Sequence, residues 1–191
     1  KSRWITNKFS QKITHLLRSK NDCIFSTSKS VNKDNSLLNC RIDGLNQYNP
    51  DLFIIDLNLR LKKNLLLNNI TNKRKTFLIT IKKNKVKVNY FKKKGFNIIF
   101  INSLYSKKDF ISLFKRVYKM GYSKAIFETG LTFLNSLLNF TLLNELYIIQ
   151  NNIFLKKNGL NNSSSKYLKK IKLNKNIKIN LFDDKLYKKV F

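Results

Sequence analysis

Only six of the 39 basic residues in this 191-residue chain are arginine, and three of those, Arg3, Arg18 and Arg41, fall in its first 41 positions. A guanidinium is a planar fork of donors that grips two phosphate oxygens at once, which an ammonium cannot do. Arg18 and Arg41 are therefore candidate anion ligands, the alternative being two solvated surface charges. The same stretch carries Trp4, the chain's single Trp, whose indole offers a flat apolar face and one N–H donor. Ser30 and Asp34 add a hydroxyl and a carboxylate, although Ser30 also suits a helix N-cap with Asp34 complementing the dipole of the first turn. Much later, Glu128 closes an apolar run and Gly130 opens a turn into a second one. A strand–turn–helix of this kind aims its first N–H groups and its dipole at an anion. One glycine falls short of the G-x-G-x-x-G fingerprint, and a lone Glu among so many lysines also suits a structural salt bridge.

Such side chains need a scaffold, and the apolar periodicity supplies one. Ile13, Leu16 and Leu17 recur at helical spacing between about Lys8 and Lys20, with His15 on that helix's surface. Asp22–Ser26 reads as a short buried strand. Leu52–Asp56, Thr76–Ile81 and Phe96–Ile101 are near-continuous apolar runs, the pattern of inner strands covered on both faces. Phe110, Leu113, Phe114 and Val117 define a helix between a Ser106 cap and Gly121. A strand at Ala125–Phe127 then leads through Gly130 to a helix carrying Phe133, Leu134, Leu137 and Leu138. Leu146–Ile149 resumes the strand pattern, and Ile177–Leu181 with Tyr187–Phe191 suggest a closing antiparallel pair. The stretch Asn158–Lys175, rich in Asn, Ser and Lys, reads as a mobile loop. This alternation is that of one α/β domain.

The formal charge of +29 would ordinarily point to a polyanionic partner. Lys, Asn, Ile and Phe are abundant while Pro and Gly are scarce, the bias of A/T-rich codons, so the charge reflects composition more than function. Cys23 and Cys40 are too widely spaced for a short metal-ligand pair and read as buried free thiols in strands. No apolar run approaches the ~18–20 residues that span a bilayer, and no signal core follows the basic start. The expectation is a soluble, cytoplasmic protein with no metal site.

The order of the chemical residues carries a resemblance. Trp4 and Thr6, the Leu17-Arg18 pair, Ser30-Val31 with Asp34-Asn35, and Leu38 with Arg41 match a W-x-T motif, a helix ending in L-R, a T-V-x-x-D-[DN]-P motif and an L-x-x-R. Ile126-Phe127-Glu128-Thr129-Gly130 matches a strand–E-x-G–helix motif. Together these islands resemble the reductase half of the bacterial bifunctional deaminase–reductase of riboflavin biosynthesis. The resemblance implies a dihydrofolate-reductase-like α/β sandwich with a central, mostly parallel sheet flanked by helices. It also implies NADPH-dependent reduction of 5-amino-6-(5-phosphoribosylamino)uracil, with hydride delivered to C1 of the sugar. It assigns substrate contact to Ser2, Arg18, Leu38, Arg41 and Glu128, and cofactor contact to Trp4, Ser30 and Asp34. Gly130, Leu131, Thr132, Phe133, Leu134, Asn135 and Ser136 would cradle the cofactor's pyrophosphate, and Asp34 is also a candidate to polarise or protonate the sugar.

The chain departs from the family pattern at several points. Ser30 keeps the hydroxyl of the usual Thr, Ser36 replaces a Pro, and Leu131 stands where G-P-x-L has its Pro, which restores one N–H. Leu57 occupies a place often held by a small polar residue, and Asn151–Phe154 replaces A-P-x-L-L-G. The family's opening K-x-A-x-S-x-D-G strand and its zinc deaminase half are not in the sequence. The expectation is a chain that starts just after the first strand of the reductase half, with a deaminase domain upstream in the full-length protein and a homodimer as the assembly. Three other readings stay open: a same-fold reductase with another pterin or pyrimidine substrate, a basic nucleic-acid-binding domain, and a fragment inactive by itself.

Overall fold

The computed structural model describes residues 5–45, 47–69, 71, 73–153, 171–173 and 175–191. The chain forms two compact units, one of His15–Gly130 and one of Lys1–Thr14 with Leu131–Phe191. Helix α1 (Lys8–Ser19) runs from the second into the first.

The larger unit is built on five strands: β1 (Cys23–Thr27), β2 (Asp51–Ile55), β3 (Thr76–Thr80), β4 (Phe96–Phe100) and β5 (Ala125–Phe127). All pair in parallel, in the order β4-β3-β2-β1-β5. For three of them the apolar runs have the reason expected: β3 is buried along its whole length and β1 and β2 along almost all of it. By contrast, β4 is an edge strand with Asn97 and Phe100 exposed, which corrects the inner-strand reading of Phe96–Ile101. Side chains alternate between the two faces of a strand, and the register puts Phe127, Phe25, Phe53 and Phe77 side by side on one face. Their rings stack at centroid distances of 5.0, 4.9 and 4.4 Å, closed over by Phe114 and Tyr122. The other face carries Ile24, Leu52, Ile54 and Leu78, packed with Val31, Val88 and Phe91.

Three helices connect these strands. Helix α2 (Ser28–Asp34) follows β1, α3 (Lys85–Lys93) follows β3, and α4 (Lys107–Lys119) follows β4. As expected, α4 starts at a Ser106 cap, here a full capping box with Asp109, and Gly121 follows its end at φ +97°. Helix α3 has no counterpart in the sequence reading. Lys85-Val86-Lys87-Val88 alternates like a strand, but Asn84 accepts from the Lys87 amide as a cap and buries Val88 and Phe91 three residues apart.

In the second unit, α5 (Leu131–Asn139) precedes β6 (Glu145–Asn151), which pairs antiparallel with β7 (Asp184–Val190). This corrects the expected closing pair: Tyr187 lies opposite Ile148 of β6, and Ile177–Leu181 forms no strand, touching β7 through its Ile177 amide and the Leu186 carbonyl. Asp184 fastens the start of α1, accepting from the Asn7 amide at 2.9 Å and Ser10 Oγ at 2.5 Å. Most of Asn158–Lys175 lies outside the described residues.

Candidate functional site

Open parallel sheets bind ligands beyond the carboxyl ends of their strands, where the strand order reverses. Here the chain leaves β1 for β2 on one side, while β5 is placed on β1's other side, so the reversal falls between β1 and β5. The residues that follow these two strands are Ser28–Asp34 and Glu128–Gly130, which include four of the positions singled out from the sequence, Ser30, Asp34, Glu128 and Gly130. Pairing continues past the end of β5, since the Glu128 amide donates to the Phe25 carbonyl (2.9 Å) and Ser26 Oγ to the Glu128 carbonyl (2.8 Å). A Cβ placed on Gly130 would meet only Ser30 Oγ, at 4.0 Å. The fold thus brings together Ser30 and Gly130, 100 positions apart, with no other described atom within 4 Å of a Cβ placed on the glycine.

Ser30 is not the cap of α2. Thr27 is, accepting from the Ser30 amide, while the two hydroxyls lie 3.1 Å apart. Asp34 is likewise not in a first turn; it is the last residue of α2, exposed, where the helix dipole disfavours an acid. It makes no hydrogen bond or ion pair with the described residues.

Arg18 and Glu128 meet directly. Nε and Nη2 of Arg18 donate to Oε1 and Oε2 of Glu128, both at 2.7 Å, a fork-to-fork ion pair. Nη1 donates to the Asn39 carbonyl at 2.8 Å. Arg18 is 7% exposed, so the solvated-charge reading does not hold, whereas the salt bridge considered for Glu128 is present. By strand alternation Glu128 shares a sheet face with Ile126 and Ile24, opposite the phenylalanines. The pair leaves little of the Arg18 fork for a phosphate; it orients the carboxylate.

His15 is buried, not on the surface, with Nδ1 3.0 Å from the Asn39 carbonyl. Burial, reinforced by Arg18 and Arg41, holds it below the usual histidine range, so its ring is neutral at pH 7. Leu38 is buried and left-handed, at φ +52°. Arg41, three residues on, is exposed, and no ion pair ties it down among the described residues. Cys23 and Cys40 are buried free thiols, Cys23 in β1 but Cys40 in a loop.

Sequence reasoning missed two buried charged residues beside this site. Asp56, at the end of β2, accepts from Ser28 Oγ (2.8 Å) and the amides of Arg60 (2.8 Å) and Leu61 (2.7 Å). Arg74, just before β3, donates Nη1 to the carbonyls of Leu38 (2.8 Å) and Pro50 (3.0 Å), and Nη2 to that of Leu37. An Asp closing an inner apolar strand was a readable signal; nothing local marks Arg74.

In the second unit, the run Leu131–Ser136 forms the first six residues of α5, with Thr132 exposed and Ser136 Oγ turned back onto the Thr132 carbonyl (3.3 Å). Its first turn has no acidic residue, and Gly130 before it has no side chain with which to cap. An uncapped helix start is a donor set suited to a pyrophosphate. These donors by themselves fit the pyrophosphate of a dinucleotide. Ser2 and Trp4 lie outside the described residues. A depression of about 400 Å³ lies at the amino ends of β1 and β2, around Lys20, Asp22, Tyr48 and Lys124. It is at the wrong strand ends for this site and holds none of its residues.

Residues 1–173 match the family model of the RibD C-terminal domain. The chain belongs to the RibD C-terminal domain family. It is a reductase-family domain with the fold expected from its sequence motifs. The fold is shared with Acinetobacter baumannii RibD at a TM-score of 0.75 and 17% identity, over 100% of this chain and 52% of that one. The Thermotoga maritima deaminase/5-amino-6-(5-phosphoribosylamino)uracil reductase matches at TM-score 0.72 and 18% identity, over 98% and 50%. Rib7, the riboflavin biosynthesis reductase of Saccharomyces cerevisiae, matches at TM-score 0.69 and 20% identity, over 95% and 80%. The chain therefore spans about half the length of the RibD proteins it matches, the part that corresponds to the reductase. By sequence alone, no curated protein matches it. Among the described residues no helix is long and apolar enough to cross a membrane, and no cluster of residues could hold a metal ion.

Proposed function

We propose that this domain reduces the ribosyl group of 5-amino-6-(5-phosphoribosylamino)uracil, or a close phosphoribosyl pyrimidine, with NADPH as reductant. The observation that carries this reading is the convergence of Glu128, Arg18 and the Leu38–Arg41 backbone at the reversal of the sheet. Bound NADPH supplies the hydride that reaches the sugar C1. In the sheet unit, Ser30 and Gly130 would border it.

The side chains divide the remaining work. Arg41, exposed and unpaired with any described acid, is the grip for the substrate's phosphate. Glu128, 22% exposed at its side chain, keeps lone pairs on both oxygens for N–H or O–H groups of the substrate. Arg18 holds that carboxylate in one orientation, so no ordering remains to be done when substrate arrives.

The test is NADPH oxidation by the purified chain with phosphorylated and dephosphorylated substrate, in excess heparin to occupy nonspecific cationic surface. Turnover of the phosphorylated form, with KM raised at least tenfold in Arg41→Gln, supports the reading. Saturable NADPH binding without turnover points to another substrate, and NADPH binding abolished by heparin removes the cofactor site.

A further inference from the structure

Three consecutive backbone carbonyls, those of Leu37, Leu38 and Asn39, all accept hydrogen bonds from two buried arginines. Arg74 takes the first two and Arg18 the third. The segment so held is not regular structure, and its central residue is a leucine at φ +52°, a conformation that a side chain with a Cβ disfavours. Arg74 is 9% exposed, and a third carbonyl, that of Pro50, anchors the same guanidinium to the start of β2. Cys40 continues the clamp: its amide donates to Asn49 Oδ1 at 2.7 Å, and its thiol reaches the His15 carbonyl at 3.6 Å. Arg41 comes next in the chain.

Two like charges at such a place need a strong reason. Burial, and then the charge of Arg18, lower Arg74 to about 10 from the ordinary arginine value, and its Nε has no hydrogen-bond partner among the described residues. A lysine could not bond carbonyls of two successive residues and of Pro50 from one planar group. The arrangement sets backbone, not charge balance, because every acceptor of Arg74 is a main-chain oxygen.

We propose that Arg74 is a positioning residue for substrate: it locks Leu37–Asn39 in the shape that delivers Arg41 to the phosphate and supports the Arg18–Glu128 pair. This rests on the reading of Arg41 as the phosphate grip. Arg74 touches no substrate itself. Its effect passes through the Leu38 turn.

The experiment compares wild type with Arg74→Lys, Arg41→Gln and the double variant, at a temperature well below unfolding and in salt that screens surface lysines. The first readout is maleimide labelling of the two thiols, resolved by peptide mass. Cys40 reports the clamped segment and Cys23, within β1, reports global opening. In Arg74→Lys, Cys40 labelling rises at least tenfold while Cys23 is unchanged. The second readout is the affinity for ribose 5-phosphate, which falls about tenfold in each single variant and no further in the double. The proposal is overturned if the two thiols accelerate together, if Cys40 does not respond, or if Arg74→Lys binds ribose 5-phosphate like wild type while Arg41→Gln does not. A wild-type affinity in Arg41→Gln would instead remove the phosphate-grip reading, and the proposal with it.

Discussion

Removing Glu128 tests whether Arg18 belongs to a buried ion pair or is free to hold a ligand. Arg18 is 7% exposed, and in Glu128→Ala it keeps the Asn39 carbonyl and His15 Nδ1 as its described partners, beside the like charge of Arg74. Leaving a buried charge without its partner costs about 3–5 kcal/mol. The Glu128 side chain is 22% exposed, which lets water reach the gap and places the value near the lower end, at about 3 kcal/mol. For a chain of this size that is a fall in Tm of about 6–12 °C. Arg18→Met leaves a carboxylate that can turn to water and costs about 1–2 kcal/mol. Arg18→Met/Glu128→Ala leaves neither charge unpaired and should lose no more than the milder single change, giving a coupling of about 3 kcal/mol. Urea denaturation with a shared m-value measures all four proteins. Single effects that add to within ~0.5 kcal/mol would refute the pair. Arg18 would then be a free guanidinium, and the phosphate would have two candidate ligands instead of one.

Other outcomes follow from the same geometry. Phe53 sits between Phe25 and Phe77 with Tyr122 at its edge, so Phe53→Ala should cost about 3–5 kcal/mol by urea denaturation. Burial, aided by Asp22 and Asp51, pushes the Cys23 thiol up to about 12 from its ordinary 9.0. A folded value above the unfolded one means that this stabilisation is complete below pH 9 and is lost as pH rises towards 12. The fall in urea midpoint above pH 9 should therefore be smaller in Cys23→Ala than in wild type. Ser106→Ala removes the capping box of α4 and should cost about 1 kcal/mol, with Asp109→Asn next in size, read by thermal unfolding. In Gly130→Val, bulk fills the space before Ser30, and NADPH affinity measured by Trp4 fluorescence should drop at least tenfold with little change in Tm.

The sequence by itself determined the class of fold and the order of its parts. Runs such as Leu52–Ile55 and Thr76–Thr80 are apolar without alternation because a parallel strand is covered on both faces, and that burial is written residue by residue. The motif islands were legible for a different reason: Arg18, Arg41 and Glu128 are of residue types rare in this lysine-rich chain, and Ser30 stands at a fixed spacing among them. What sequence could not carry is which partner a side chain or strand takes. Helix α3 went unread because Lys85–Val88 alternates, and its helical face becomes plain only where Val88 and Phe91 enter the core. Tyr187–Phe191 was expected to pair with Ile177–Leu181 and pairs with β6 instead, because pairing depends on which segments the fold brings close in space. Asp34 falls at the end of α2 and not its start because Thr27, not Ser30, supplies the cap. Arg18 and Glu128 stand 110 positions apart, and Arg74 reaches back 36 to Leu38. Composition and spacing are local quantities, whereas a buried guanidinium is defined by the acceptors the fold brings to it, and those were decided only when β1, β2 and β5 came together.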